Sequence, residues 1–290
     1  MGKNEYTDDD VVIIGGSEWK PSGDKNGHTG GRSGRRKTLL VSLAVLVLLP
    51  AVAYAVRTAC NMIQFPKSRP DHEIVSMLSV KPEGVPGVSR NDEEIMGVKL
   101  EIFSISGLRA HFADSVPDCS DTSVYLVTRS ADYRIWKDSR KMLGDFVQDG
   151  EILARDTWRA GFMAISDGNA QIGVSRGNKA FRYVVRHGGS FFRQMAIVSA
   201  GTRCDRQYIL KGKVTRCAYA RDENGKMYFV QTSNAETLYG FADALIEHGF
   251  IDAVYVTGGA QSDLFYRDAD GLPHGSYTDE KPHKMVVWTR

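Results

Sequence analysis

The sequence lacks the residue spacings that are typical of a metal site or a repeat protein. It has four cysteines and seven histidines, but no Cys-x-x-Cys pair, no His-x-x-x-His pair and no EF-hand pattern of acidic residues. Spacing therefore gives no argument for a structural zinc ion or a calcium loop, and we expect neither a metal nor a cofactor. No segment recurs at a fixed period, which excludes the usual repeat architectures.

Neither positive nor negative charge dominates the chain, since the formal net charge is only +2. The charged residues are nevertheless unevenly distributed along the sequence. Residues 1–37 are poor in large apolar side chains and end in the basic cluster Arg32, Arg35, Arg36 and Lys37. Such a composition cannot build a core, so we predict a disordered tail. The nineteen residues Thr38 to Val56 that follow carry no charge. A role in orienting a membrane helix therefore explains the basic cluster better than nucleic-acid binding does.

A helix over residues 38–56 would be about 28 Å long at about 1.5 Å per residue, enough to cross a bilayer. We predict a single transmembrane signal anchor, with the tail in the cytoplasm and residues 57–290 in the periplasm or outside the cell. A cleaved signal peptide, with small-residue sites near Ala53, is the main alternative, and a buried soluble helix is another.

All four cysteines follow this segment, on the side of a membrane where disulfides are permitted. Cys204 and Cys217 flank a predicted hairpin, so a cross-strand disulfide between them is plausible, which would leave Cys60 with Cys119. Four unbridged thiols are the alternative.

Residues 57–96 are interrupted by prolines and glycines, a composition typical of an extended linker or an irregular wrap. From Gly97 onward, short apolar alternations bounded by turn residues predict strands, and helical patterns are few. One such helical pattern lies near Ile135 to Phe146. We therefore predict that residues 97–290 form one α+β domain, built on a mostly antiparallel mixed sheet.

The segment Ser233 to Asp268 contains the clearest candidate site. Ser233 and Glu236 match a capping box, an amphipathic helix follows as far as His248, and Gly249 stands where a C-terminal cap belongs. The strand Ile251 to Val256 comes next, and small residues follow it. Their N–H groups and two side chains could hold an oxyanion or phosphate; these candidates are Gly258, Gly259, Gln261 and Ser262. A plain strand-ending turn is the alternative.

Four segments of the last 190 residues resemble the phosphodiester glycosidase domain family of the N-acetylglucosamine-1-phosphodiester uncovering-enzyme type, in particular its branch from gut Bacteroidetes. They are SFFRQMA at 190–196, VTRCAYA at 214–220, IDAVYVTGGAQSDLFYRDADG at 251–271 and KMVVWTR at 284–290. The resemblance implies the family fold and hydrolysis of glycosyl phosphodiesters. The family's last strand ends in an Asp-Gly-Gly-Gly-Ser type motif, whereas here Thr257 replaces the aspartate and Ala260 the third glycine.

The same resemblance implies a phosphate-binding role for Arg216, which matches an arginine of the family, and Arg193 is the second candidate. For each arginine the alternative is a structural ion pair. Asp167 occupies the place of a short Ala-Ile-Asn type motif of the family and could act as catalytic carboxylate, with an Asx-type turn as its alternative. Asn169 could donate to a sugar hydroxyl, and Asp263 could replace the absent aspartate. Three aromatic residues could stack on a sugar or belong to the core; they are Tyr255, Phe265 and Tyr266.

Three functions fit these patterns. The first is a membrane-anchored, extracytoplasmic hydrolase of glycosyl phosphodiesters in envelope or polysaccharide glycans. The second is a carbohydrate- or phosphate-binding descendant without catalysis, which Thr257 favours. The third is a structural envelope protein that assembles with partners through its tail and membrane helix, for which the Gly-rich residues 15–34 offer weak support.

Overall fold

The computed structural model describes residues 33–64, 71–136, 139–156, 159–204, 212–256, 263–277 and 284–290. Among them, residues 33–41, 58–64, 134–136, 139–141, 263, 276 and 277 are described by their backbone alone. The chain divides into two compact units, Met1–Tyr54 and Ala55–Arg290.

The uncharged run predicted to be helical does form a helix. Helix α1 spans Ser33–Gln64 and contains Pro50. Large apolar side chains between Leu43 and Val56 are exposed, which is unusual for residues that normally prefer a core. Within the described residues, no helix combines the length and apolar character needed to cross a membrane.

The strands of the second unit form three larger sheets and a small hairpin, and every described pair of strands is antiparallel. This confirms the prediction of an α+β, mostly antiparallel fold. The large sheet has the order β1-β2-β15-β14-β16-β12-β13 and comprises β1 Gly87–Ile95, β2 Val98–Ser106, β12 Ala196–Ser199, β13 Thr202–Arg203, β14 Cys217–Arg221, β15 Met227–Thr232 and β16 Asp252–Val256.

Two five-stranded sheets complete the domain. The second sheet has the order β10-β9-β11-β7-β8 and comprises β7 Phe146–Gln148, β8 Glu151–Ala154, β9 Gly161–Ser166, β10 Asn169–Val174 and β11 Ser190–Gln194. The third sheet has the order β18-β17-β4-β19-β3 and comprises β3 Arg109–Ala113, β4 Val124–Arg129, β17 Asp263–Arg267, β18 Pro273–Tyr277 and β19 Met285–Thr289.

One central core is shared by all three larger sheets. Phe103 and Tyr219 come from the large sheet, Met163 from the second and Trp288 from the third, and all are nearly inaccessible to solvent. Because side chains alternate across a strand, the neighbouring residues of the large sheet face the opposite way. There they pack against α4, Leu238–His248, through residues such as Leu100 and Ala218. Both faces of the large sheet are therefore covered.

Helix α4 matches its prediction except at its N-terminus. Gly249 is the C-cap, with φ of 105° in the left-handed region that glycine adopts readily. The N-cap is Thr237, whose side chain accepts a hydrogen bond from the Gly240 N–H, 3.0 Å away. The predicted capping box of Ser233 and Glu236 is not formed, because the Glu236 N–H donates to the Val214 carbonyl oxygen and the Ser233 N–H donates to the Lys99 carbonyl oxygen.

The outer face of the second sheet is covered by α2, Asp71–Leu78, and α3, Lys179–Arg186. Helix α2 and strand β1 both lie in the stretch that the prolines predicted to be a linker. Ile74 and Leu78 are buried against this sheet, and Val88 reaches the central core. The folded unit thus extends to the N-terminal side of residue 97, because apolar residues between the prolines and glycines have a surface to pack on.

Two further expectations differ from the structure. The segment with a helical pattern near Ile135 forms a hairpin of β5, Tyr133–Trp136, and β6, Ser139–Met142. The predicted disulfide of Cys204 with Cys217 is absent. Cys217 lies in the central core, whereas Cys204 packs in a separate cluster with Ala160, Val174 and Ala196. Cys119 is not disulfide-bonded either, and the side chain of Cys60 is not described.

Candidate functional site

The predicted glycine segment lies outside the described residues, so Gly258, Gly259, Gln261 and Ser262 are not placed, nor is the side chain of Asp263. The strand end that leads into this segment is described. Strand β16 ends at Val256, which pairs with Cys217 at the start of β14. The chain therefore enters the glycine segment from this end of the large sheet.

Arg216 lies next to that strand end but is buried, with 1% of its surface exposed. Its Nε donates to the Glu236 carbonyl oxygen at 2.9 Å, and a terminal nitrogen donates to the Gly212 carbonyl oxygen at 2.8 Å. Its backbone N–H donates to the Thr232 hydroxyl at 2.9 Å. The guanidinium thus joins loops near the start of α4, and the partners described for it are backbone carbonyls.

Arg193 lies elsewhere, in the second sheet, and is fully buried. Its Nε donates to Asp145 at 2.9 Å, and its terminal nitrogens donate to the carbonyl oxygens of Ser175 and Gly177. Burial lowers the pKa of the Arg193 guanidinium, while the bond with Asp145 opposes that shift. This geometry corresponds to the structural ion pair named as the alternative reading for this residue.

Asp167 and Asn169 belong to the hairpin that joins β9 to β10. Ser166 pairs with Asn169, and the two residues between them, Asp167 and Gly168, have φ of 49° and 79°. Positive φ at both central positions is typical of a type I′ turn, in which Asp-Gly is a favoured pair. Asp167 is exposed, whereas the Asn169 amide donates to the Met77 carbonyl oxygen at 2.7 Å.

The three predicted aromatic residues are all part of the protein interior. Tyr255 packs against α4, Phe265 packs within the third sheet, and Tyr266 contributes to the central core. Their exposed fractions are 8% or less. Tyr266 stacks on His274 with ring centroids 4.8 Å apart, so it is the one that approaches the edge of the core.

The structure brings together a different set of side chains at the end of the large sheet. Asp92 pairs with Glu101, Glu101 with Gln231, Gln231 with Cys217, and Cys217 with Val256. Directly opposed residues in antiparallel strands point to the same face, so these five form one row across β1, β2, β15, β14 and β16. We call it the polar row, and it ends beside the glycine segment.

Glu101 is the buried carboxylate of the polar row, with 8% of its surface exposed. One carboxylate oxygen accepts a hydrogen bond from the Gln231 amide. The other accepts from the Ser233 hydroxyl at 3.1 Å and lies 3.3 Å from a terminal nitrogen of Arg90. A carboxylate held by three donors has a fixed position and orientation.

Arg90 connects the polar row to the protein surface. Its guanidinium forms a two-point ion pair with Asp92, with distances of 2.7 and 2.9 Å, and about a third of its side chain is exposed. Bonding to Asp92 raises the pKa of Arg90 far above its ordinary value, and a bond with the Tyr266 hydroxyl acts in the same direction. Arg90 therefore stays charged and is shared between two carboxylates.

Below the polar row the same face of the sheet is aromatic. Phe103, Phe229 and Tyr219 form the next row on that face, and adjacent rings lie 5.3 to 6.2 Å apart. The Tyr219 hydroxyl bonds with Thr128 and accepts from the Trp288 indole N–H at 3.0 Å, and burial raises its pKa. This apolar floor lowers the effective dielectric constant around Glu101, which strengthens its hydrogen bonds.

Sequence reasoning missed Glu101, Gln231 and Arg90. The available signal was a carboxylate and an amide inside otherwise apolar strand patterns, at Leu100 to Phe103 and at Met227 to Thr232. Their convergence depends on sheet order, which sequence patterns do not specify. Within the described ranges, no group of three or more His, Cys, Asp or Glu residues has the geometry to hold a metal ion.

Comparison with known proteins shows which solved fold this chain resembles but does not show its activity. No family model matches the chain, and no curated protein matches it. The solved catalytic domain of zebrafish N-acetylglucosamine-1-phosphodiester alpha-N-acetylglucosaminidase, auto-inhibited by its pro-peptide, is similar in structure, with a TM-score of 0.51 and 10% identity. The match covers 73% of this chain and 86% of that one.

A hypothetical protein from Synechocystis is also similar, with a TM-score of 0.47 and 11% identity over 69% of this chain and 61% of that one. At 10% identity, the likeness to the zebrafish domain shows the fold alone. The fold of this chain thus resembles that of a phosphodiester glycosidase catalytic domain.

Proposed function

We propose that this protein is a membrane-anchored, extracytoplasmic phosphodiester glycosidase that hydrolyses glycosyl phosphodiesters of envelope or polysaccharide glycans. The observation that carries the proposal is the polar row, in which the buried carboxylate of Glu101 lies on the sheet end that leads into the glycine segment. The fold shared with a phosphodiester glycosidase domain supports the reaction class as an analogy.

The substrate would lie along the polar row. Its phosphate would bind the N–H groups of Gly258 and Gly259 with the side chains of Gln261 and Ser262. Its sugar would extend towards Gln231 and Glu101, whose amide and carboxylate suit hydroxyl groups. This orientation keeps the phosphate away from the carboxylates of Glu101 and Asp92, which would repel it.

In the reaction, water attacks the anomeric carbon while the bond from that carbon to the phosphate oxygen breaks. Glu101 accepts the proton of the attacking water, and the phosphate departs as a monoester. Arg90 and Ser233 hold the carboxylate in place. In this scheme Arg216, Arg193 and Asn169 support the fold, because the bonds described for them are to the protein itself.

The anchor is α1. Support comes from the uncharged run 38–56, from the exposed apolar side chains between Leu43 and Val56, and from the basic residues that precede the run. The tail would stay in the cytoplasm and the domain would face the periplasm or the exterior.

A binding protein without turnover is the second candidate, and one observation favours it. Both oxygens of Glu101 already accept hydrogen bonds or an ion pair from protein groups, so an attacking water would have to share or displace one of these donors. Thr257, which stands where the related family carries an aspartate, favours the same reading.

The test is turnover by the full chain, purified in a detergent without a sugar headgroup, on a panel of sugar-1-phosphodiesters. We expect release of free sugar, and a fall in kcat of about 100-fold or more in Glu101→Gln, the usual loss for an acid-base group. Glu94→Gln is the matched control, since it makes the same chemical change at an exposed position of β1. Asp167→Asn should also retain turnover.

Saturable binding without release of sugar, lost in Glu101→Gln, would identify the binding protein instead. Neither turnover nor binding on any substrate would refute both candidates.

A further inference from the structure

A separate cleft of about 250 Å³ lies at the opposite end of the large sheet from the polar row. It is bounded by Ile105 and Ser106 at the end of β2 and by Met227 at the start of β15. Ile105 lies four positions along β2 from Glu101, or about 14 Å at about 3.4 Å per residue. The cleft is therefore distinct from the polar row.

The walls of the cleft are fixed by contacts within the protein. Its Trp288 wall is held by the indole hydrogen bond to Tyr219, and Asn169 is held by its bond to the Met77 carbonyl oxygen. Gly107 closes against Gly84 so tightly that a Cβ on Gly107 would stand 2.5 Å from the Gly84 carbonyl oxygen. A cleft with fixed walls binds a ligand without first having to order its own groups.

The lining combines an apolar wall with polar groups, as small-molecule sites do. Trp288, Met227 and Leu108 provide the wall, and Ser106, Asn169 and Gln171 provide hydroxyl and amide groups. The Gln171 amide N–H donates to Asn169 at 3.0 Å, but within the described residues its Oε1 is buried without a hydrogen-bond partner. A buried acceptor without a donor is costly, so a turn of this amide that brings its oxygen to a hydroxyl in the cleft is expected to be favourable.

Size and charge define the ligand. The volume is below the range of about 300 to 1,000 Å³ typical of drug-sized ligands, which indicates a single ring. Glu83 and Lys226 contribute opposite charges to the lining, so neither a phosphate nor a cation is selected. We propose that this cleft binds one neutral monosaccharide unit, separately from the polar row and without chemistry.

The test is saturation-transfer difference NMR on the full chain, in lauryldimethylamine oxide to avoid sugar detergents. The probes are D-glucose, D-galactose, D-mannose and N-acetyl-D-glucosamine. Saturable binding of at least one sugar is expected, weakened about tenfold by Gln171→Met, which removes one hydrogen-bonding amide. Glu83→Gln changes a second lining position, which is exposed, and should weaken binding because it replaces a carboxylate acceptor of sugar hydroxyls by an amide. The matched control Glu223→Gln, in the neighbouring hairpin, should bind as the unaltered chain does.

The proposal is overturned if none of the four sugars binds, or if binding survives both Gln171→Met and Glu83→Gln in folded protein. Loss of binding in Glu101→Gln, with binding kept in Gln171→Met, would place the sugar in the polar row. That result would overturn this inference while supporting the proposed function. Binding that depends on Gln171 in a chain without hydrolase activity would support this inference and contradict the proposed hydrolase function.

Discussion

Replacing Arg193 by methionine tests whether this arginine supports the fold or binds phosphate. The change keeps much of the side-chain length but leaves the carboxylate of Asp145 buried, since both side chains are 0% exposed. The remaining described donors to Asp145 are the Asp156 N–H at 2.9 Å and Arg155 at 3.5 Å. Breaking a buried ion pair by removing one partner costs about 3–5 kcal/mol.

For a domain of this size, each kcal/mol lowers Tm by about 2–4 °C, so a fall of about 6–20 °C is expected. Urea unfolding followed by tryptophan fluorescence would give the change in free energy of unfolding. Arg155→Met is the control, because it contacts the same carboxylate but is 46% exposed, and a pair of that kind is worth about 1 kcal/mol or less.

Adding Asp145→Asn to Arg193→Met should recover about 1 kcal/mol or more, since it removes the uncompensated charge. The reasoning fails if Arg193→Met loses less than about 1 kcal/mol. If such a protein also lost binding of phosphodiesters, Arg193 would have to be assigned to the ligand.

Three other measurements test separate parts of the structure. Thr237→Ala should lower the free energy of unfolding by about 1 kcal/mol, because it removes the hydrogen bond from the Gly240 N–H at the start of α4. The hydrogen bond from the Thr237 N–H lowers the pKa of Glu236 below 4.5. The stabilisation by ionised Glu236 is therefore present above pH about 4.5 and is lost as the pH falls through the lower folded value. In urea unfolding, Glu236→Gln should be less stable than the unaltered chain at pH 7, and the difference should shrink steadily as the pH is lowered below about 4.5. Deletion of residues 38–56 should move the protein from the membrane fraction to the soluble fraction, and continued sedimentation with membranes would contradict the anchor.

Local signals in the sequence predicted local structure well. The helix ending at Gly249, the strand that follows it and the apolar strand near Val98 all appear at the expected places, because each depends on neighbouring residues. The predicted N-cap was wrong by contrast, since the Ser233 N–H donates to Lys99, more than a hundred residues away, and the Glu236 N–H donates to Val214. Bonds to distant parts of the chain therefore decided where the helix begins.

The candidate site was harder to predict for the same reason. Arg216 and Asp167 stood out in the sequence, yet the bonds described for Arg216 are to the backbone, and Asp167 occupies an exposed turn. Glu101 and Gln231 gave no motif, because what makes them neighbours is the pairing of β2 with β15. Sequence patterns specify strands much better than they specify which strands become adjacent.

The polar row also has a consequence for how the protein folds. Its five members are drawn from positions 92, 101, 217, 231 and 256, so most of its contacts join distant parts of the chain. Contacts between distant residues must overcome a large loss of chain entropy and generally make folding slow. The row is complete only when β16, the last of its five strands in the chain, has joined the sheet. A chain truncated before residue 252 would therefore lack an assembled row, and the time course of its assembly would follow the formation of the sheet.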